Sequence, residues 1–214
     1  MEESGEWREY PESTLSAPLE AALAAFVEQG YHGSSIRDIA ARAGLSVPGL
    51  YHHYPSKQAL LVGLIDTAMD ELLERSERAQ AEAGPDPSAR FDAVVESLLR
   101  FHMARRELAF VAATERRSVE GNDRTRVVER RVEQQRMLDR IVADGVASGA
   151  FVTPDPKDAG RAVATMCVSV AQWYSPDGPL TPDGLVPRYL DIARRMVGAC
   201  GPGAVHRPGA RGND

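Results

Sequence analysis

The chain is predicted to be all-α, with a three-helix N-terminal unit followed by a larger helical bundle. Apolar residues recur at helical spacing almost throughout, as in Leu19, Ala22, Leu23, Phe26 and Val27. No stretch alternates apolar and polar residues over a useful length. The breaks between periodic segments are Gly- and Pro-bearing runs such as Gly84-Pro85-Asp86-Pro87 and the SPDGPLTPDG passage.

Each helix has its own start or stop signal. Pro18 suits a first helical turn and Gly30 a C-terminal stop. A second helix, Ile36 to Ala43, begins at Ser35 with Asp38 three residues on, a capping box with Asp in place of the usual Glu or Gln. Gly44 breaks it, and Ser46 caps a short third helix, Val47–Tyr54, which ends at Pro55. Ser56 caps a long fourth helix from Lys57 to about Ala83, with Leu60, Leu61, Leu64, Ile65, Ala68, Leu72 and Leu73 along one side. Further helices are expected over 88–104, 106–117, 123–148, 157–173 and 182–198. The division that follows is a disordered acidic arm (1–14), a helix-turn-helix domain (15–56), a helical ligand-binding and dimerisation domain (57–199) and a flexible tail (200–214).

Composition narrows the functional classes. With 214 residues, 43% hydrophobic and 26% charged, the chain suits an ordinary globular protein with a sizeable core. No apolar run approaches the roughly 20 residues that span a bilayer, so no membrane partner is expected. The start is acidic and lacks an apolar core segment, so no signal peptide is expected. Cys167 and Cys200 have neither metal-ligand nor redox spacing, which fits a reduced cytoplasmic setting without metal or cofactor. The net charge of −6 argues against nucleic-acid binding, but it is unevenly spread. Residues 1–12 hold five glutamates and one arginine, whereas 105–140 are rich in arginine.

The informative stretch is SSIRDIAARAGLSVPGLYHHYPSKQALL, Ser34 to Leu61. Two short helices joined by a tight turn at Gly44 make a helix-turn-helix pattern. Ile39, Ala43, Leu45 and Leu50 would face inward, and Ala40 is small where the helices must approach. The third helix would then project Pro48, Gly49, Tyr51 and His52 outward, as a helix entering the major groove must. Tyr54 reads better as a core aromatic. His52 and His53 are adjacent, so they point to different faces and make a poor metal pair.

Residues 19–65 resemble the DNA-binding domain of the tetracycline-repressor (TetR) family, through AALAAFVEQGYHGSSIRDIAARAGLS and LYHHYPSKQALL. Carried over by position, the resemblance implies DNA contacts at Ser35, Arg37, Pro48, Gly49, Tyr51, His52, His53 and Lys57. It also implies a homodimer on a palindromic operator, paired through the last two helices, 157–173 and 182–198, whose apolar residues include Ala162, Val163, Met166, Val170, Tyr189, Leu190, Ile192, Met196 and Val197. This chain departs from many members in lacking a basic residue just before the first helix.

Further on, ATERRSV, GVASGAFVTPDP and VAQWYSPDGPLTPDGLVPRYLDIARRMVG resemble regulators that sense acyl-CoA thioesters. A small-molecule effector, apolar or acyl-CoA-like, is therefore expected in a cavity walled by Leu98, Phe101, Met103, Phe110, Leu138, Met166 and Trp173. Arg116, Arg117, Arg130 and Arg131 are placed to attract a phosphate at its mouth. Each apolar residue taken singly reads better as plain core than as pocket wall. The rival readings are a helical interaction protein without DNA binding, and an all-α enzyme. No nucleophile elbow or phosphate-binding glycine loop supports the enzyme, and His102 beside Glu96 or Glu107 is a weak acid–base pair.

Overall fold

The computed structural model describes residues 5–11 and 15–199. Among them run nine α-helices: α1 (Ala17–Gly33), α2 (Ile36–Arg42), α3 (Val47–His53), α4 (Lys57–Glu82), α5 (Pro87–Ala104), α6 (Arg106–Thr114), α7 (Gly121–Ala147), α8 (Pro156–Trp173) and α9 (Pro182–Met196). Tight 3-10 turns occupy Glu6–Arg8 and Glu115–Ser118. No strand forms among the described residues; one isolated bridge pairs Phe151 with Ala199. The protein is all-α, as the periodicity predicts.

The caps act at their predicted positions. Ser35 Oγ accepts from the Asp38 N–H (3.1 Å), Ser46 Oγ from Gly49 (3.1 Å) and Ser56 Oγ from Ala59 (3.0 Å). Each satisfies a donor that the first helical turn leaves without a partner, worth about 1 kcal/mol. The expected helix over 106–117 is shorter: α6 ends at Thr114 and the chain tightens into the 3-10 turn.

The core is built on α5, whose Phe91, Val94, Val95, Leu98, Leu99 and Phe101 are all buried. Around it pack α4, α6, α7, α8 and α9, while α1 lies against α2, α4 and α6. The long helix α4 runs through both halves, with Leu60, Leu61, Leu64 and Ile65 under the N-terminal unit and Leu72 and Leu73 in the bundle. No helix among the described residues is long and apolar enough to cross a membrane.

The N-terminal segment departs from expectation. Residues 5–11, read as part of a disordered arm, instead form a strap across α4 and α5. Trp7 is buried and its Nε1 donates to Glu82 Oε2 (3.0 Å), while Arg8 pairs with Glu96 (3.0 Å). Arg75 donates to the carbonyls of Trp7 (3.0 Å) and Glu9 (2.7 Å), and Arg105 to that of Pro11 (3.0 Å). The Tyr10 ring lies under the Arg75 guanidinium at 3.8 Å. A polar, acidic composition suggested solvation, but two aromatic rings and a set of distant arginines supply the anchoring. The other residues of the predicted arm, and the tail from Cys200 onward, lie outside the described residues.

Candidate nucleic-acid interface and effector cavity

The helix-turn-helix unit is assembled from its smallest parts. Gly44 has φ 67°, the left-handed conformation that a side chain resists and that a tight interhelical turn requires. Leu45 N–H closes the turn by donating to Ala40 O (2.9 Å). Ile39, Ala40 and Leu50 are then fully buried, with Ala43 and Leu45 packed beside them. Pinned by Leu50 and packed mainly on α2, α3 presents its other faces to solvent.

Of the predicted DNA-contacting residues, Ser35, Arg37, Pro48, Tyr51, His52 and His53 are exposed; Tyr51 is 46% exposed, unusual for a large aromatic in a folded chain. The rings of His52 and His53 meet edge-on at 5.6 Å. Gly49 is half-buried against Ser46, where a Cβ would come within 3.2 Å of the hydroxyl. Tyr54 faces inward, packed against the core, with Gly63 of α4 within 3.3 Å of its ring by the same measure.

Lys57 is more engaged than its sequence position suggested. Its Nζ donates to Tyr31 O (2.7 Å) and Ser34 O (3.0 Å) and lies 4.5 Å from the Tyr31 ring centre. The ammonium therefore closes the C-terminal end of α1 and brings positive charge to the α1–α2 junction. Arg42 is similarly committed, with both Nη atoms on the Glu28 carboxylate (2.9 and 2.7 Å) and Nε on Asp38 (3.0 Å). Arg37 alone among the α2 arginines makes no ion pair among the described residues.

A second set of contacts joins this unit to the bundle. Gly30 (φ 73°, ψ 162°) breaks the α1 hydrogen-bond ladder and frees the Tyr31 N–H, which donates to Glu115 Oε1 at 3.3 Å. Ser118 Oγ lies 3.1 Å from His32 Nε2. Gln58 Nε2 donates to Glu120 O (3.3 Å) and Asp123 Oδ2 (3.0 Å), and the Glu120 N–H returns a bond to Gln58 Oε1 (3.1 Å). The chain that leaves α6 thus grips α1 and the first turn of α4. These pairs, 62 to 86 residues apart, carry no local signal in the sequence.

Behind α6 is a small cavity of about 30 Å3, lined by residues that include Met69, Phe101, His102, Ala112, Ala113 and Arg131. It adjoins an open cleft of about 450 Å3 between α7 and α8, with Arg116, Arg131, Gln135, Arg161, Thr165 and Val168 on its walls. Arg131, Gln134 and Val168 belong to both. His102 Nδ1 donates to Leu98 O at 2.6 Å, and burial, reinforced by the charge of Arg131, pushes its pKa down to about 4. The ring is neutral at pH 7. Neither predicted acid–base partner is available to it: Glu96 is bound by Arg8 and Arg100, and Glu107 is exposed.

The structure does not gather the predicted effector residues into one cavity. Of those seven, only Phe101 lines the void. Leu98, Met103 and Leu138 are solid core, because helical periodicity marks burial without distinguishing a packed wall from an empty one. Phe110 and Trp173 are exposed at 36% and 45%. Trp173 stacks on Tyr189 (5.8 Å) across α8 and α9. Met166 packs partly against the core.

Residues 19–64 match the family described as bacterial regulatory proteins, tetR family, and residues 84–197 match the tetracyclin repressor-like C-terminal domain. The chain belongs to the TetR family. It is a DNA-binding transcription regulator by that membership, and its N-terminal match covers α1 to the first turns of α4. The transcriptional repressor KstR2 of Mycobacterium tuberculosis (strain ATCC 25618 / H37Rv) is 32% identical over 181 residues, spanning 81% of this chain and 88% of the relative. KstR2 of Rhodococcus jostii (strain RHA1) is 27% identical over 176 residues, 81% and 86% of the two chains. A tetR-family regulatory protein from Rhodococcus RHA1 superposes with a TM-score of 0.82 at 25% identity, covering 88% of this chain and all (100%) of that one.

Proposed function

We propose that this TetR-family regulator is a repressor that binds a palindromic operator as a homodimer and is released by a small apolar or acyl-CoA-like effector. The observation that carries the DNA-binding part is the exposed face of α3, with Tyr51, His52 and Pro48 held outward by the buried Leu50. Hydroxyl and imidazole groups suit base edges and phosphates, and Pro48 suits a thymine methyl. Arg37, the half-buried Lys57 and the N-terminus of α2 supply the backbone contacts. Within the helix-turn-helix unit, Arg37 and Lys57 are the Arg and Lys side chains without an ion pair among the described residues, so the salt dependence of binding is shallow for a protein of this kind.

Dimerisation through α8 and α9 is supported by the apolar surface these helices leave exposed. Val163, Val170 and Val197, first counted with that surface, are buried within the protomer. The outward set is Ala162, Trp173 and Ile192, with Met166 and Tyr189 half-buried beside them. A two-fold pairing there sets two copies of α3 about 34–36 Å apart, or wider, on successive major-groove faces.

The coupling is mechanical. A 30 Å3 void holds at most one or two heavy atoms, so an effector's apolar end enters only by displacing α6. Because α6 runs directly into Glu115 and Ser118, which hold Tyr31 and His32, its displacement loosens or turns the DNA-binding unit. An effector that prefers the displaced arrangement by about 1–3 kcal/mol releases the operator.

The test is a mobility-shift titration with the DNA upstream of the chain's own coding sequence. Wild-type protein shifts the fragment, and Tyr51→Ala reduces the affinity about tenfold with an unchanged melting temperature. An unshifted fragment, followed by failure to select any binding sequence from genomic DNA, would favour the rival reading of an interaction protein without DNA binding.

A further inference from the structure

Resting on the effector reading above, we infer that Arg131 is the group that reads the effector's charge, and that the effector is an amphiphilic acid: an apolar chain ending in an anionic head. Arg131 lies at the boundary between cleft and cavity, half-buried. Several other half-buried arginines meet carboxylates: Arg75 and Arg105 meet Glu71, Arg100 meets Glu96, and Arg130 meets Asp70. Arg90 donates instead to the Gly84 carbonyl, and Arg106 lacks an ion pair among the described residues, but neither borders the cleft or the void. Arg131 meets no carboxylate among the described residues. Its surroundings are instead neutral or positive. They are Arg116 from the 3-10 turn, neutral His102 from α5, Gln134 on its own helix, and Arg161 across the cleft on α8.

A partly desolvated guanidinium facing a second guanidinium costs stability unless an anion completes the group. The consequence is already visible at Arg131, whose pKa is lowered by burial and by Arg116. Beyond Arg131, the wall turns mostly apolar, with Ala109, Ala112 and Ala113 beside Met69, Leu72 and Phe101 around the void. The order of chemistry along the path is therefore a mixed cleft bearing Arg116 and Arg161, then Arg131, then mostly apolar space. A molecule matched to it has its charge at one end. A carboxylate and a thioester's phosphates both supply that charge.

The test uses the full chain and three eight-carbon probes: octanoate, octanoyl-CoA and octanol. Binding is read by calorimetry, and operator release by mobility shift. At least one acid binds and releases the operator while octanol binds about tenfold more weakly or not at all. Release by octanoyl-CoA alone assigns the head to the phosphates, and release by octanoate alone to the carboxylate. Arg131→Gln weakens the bound acid about tenfold or more, and Arg131→Lys recovers part of it. Without ligand, Arg131→Gln melts no lower than wild type and binds the operator within about twofold, because the residue it replaces is unpaired. Octanol binding and releasing as well as the acids, or an unchanged acid affinity in Arg131→Gln, would overturn the inference and leave the effector reading standing. If none of the three binds, the inference falls together with the apolar-chain reading it rests on.

Discussion

In the proposed reading, Lys57 serves structure and function together. Its ammonium satisfies two carbonyls at the end of α1 while placing charge beside the helix-turn-helix. Lys57→Met is accordingly expected to lose about 1–3 kcal/mol of stability, measured by urea denaturation, as well as operator affinity. Tyr51→Ala loses affinity alone. The two residues stand six positions apart in one motif and separate cleanly in their partners. His102 gives a pH prediction. Its folded pKa of about 4 lies below the ordinary 6.5, so the unfolded chain takes up the proton first as pH falls. The His102 contribution is thus unfavourable only below pH 6.5 and grows toward pH 4, by about 1.4 kcal/mol per pH unit, then levels off. His102→Gln should flatten melting temperature against pH across that window; an unaltered slope would mean the histidine is not the source.

In the proposed mechanism, helix α6 and the 3-10 turn that follows it carry the regulation. They border the void at one end and hold Tyr31 and His32 at the other. Glu115→Ala removes the acceptor for the Tyr31 N–H that Gly30 set free. The expected result is a loss of coupling. Operator affinities with and without effector converge several-fold, while folding is retained, as mobility shifts at fixed effector would report. The N-terminal strap works at the same scale on the other side of α4. Arg105, at the α5–α6 junction, binds both Glu71 of α4 and the Pro11 carbonyl. A composition dominated by glutamate concealed this docking, since the partners of Trp7 and Tyr10 lie some 65 to 95 residues away.

Across the whole molecule, function depends on two identical DNA-binding units at a fixed separation. The exposed α8–α9 face, with Ile192 at 44% exposure, is the surface proposed to set it. Ile192→Glu introduces a charge at the centre of that surface, and sedimentation velocity should show a monomer that melts as a protomer but no longer binds a two-half-site operator. A dimer that survives this change would place the interface elsewhere.

The caps at Ser35, Ser46 and Ser56, the turn at Gly44 and the inward Ile39 and Leu50 could all be read in advance, because a cap or turn acts within four residues and a helical stripe repeats within two turns. The family resemblance lies in the same short window. The void behind α6 was not legible, since it is walled by residues drawn from five helices spread along the chain. Four alanines wall it together with Met69, Leu72 and Phe101, while the residues Leu98, Met103 and Leu138 that the sequence pointed to are packed core. Which side of a helix meets solvent, as at Phe110 and Trp173, and which arginine is left without a carboxylate, as at Arg131, depend on neighbours distant in the chain. Short-range chemistry fixed the elements; only tertiary packing decided what lies beside each of them.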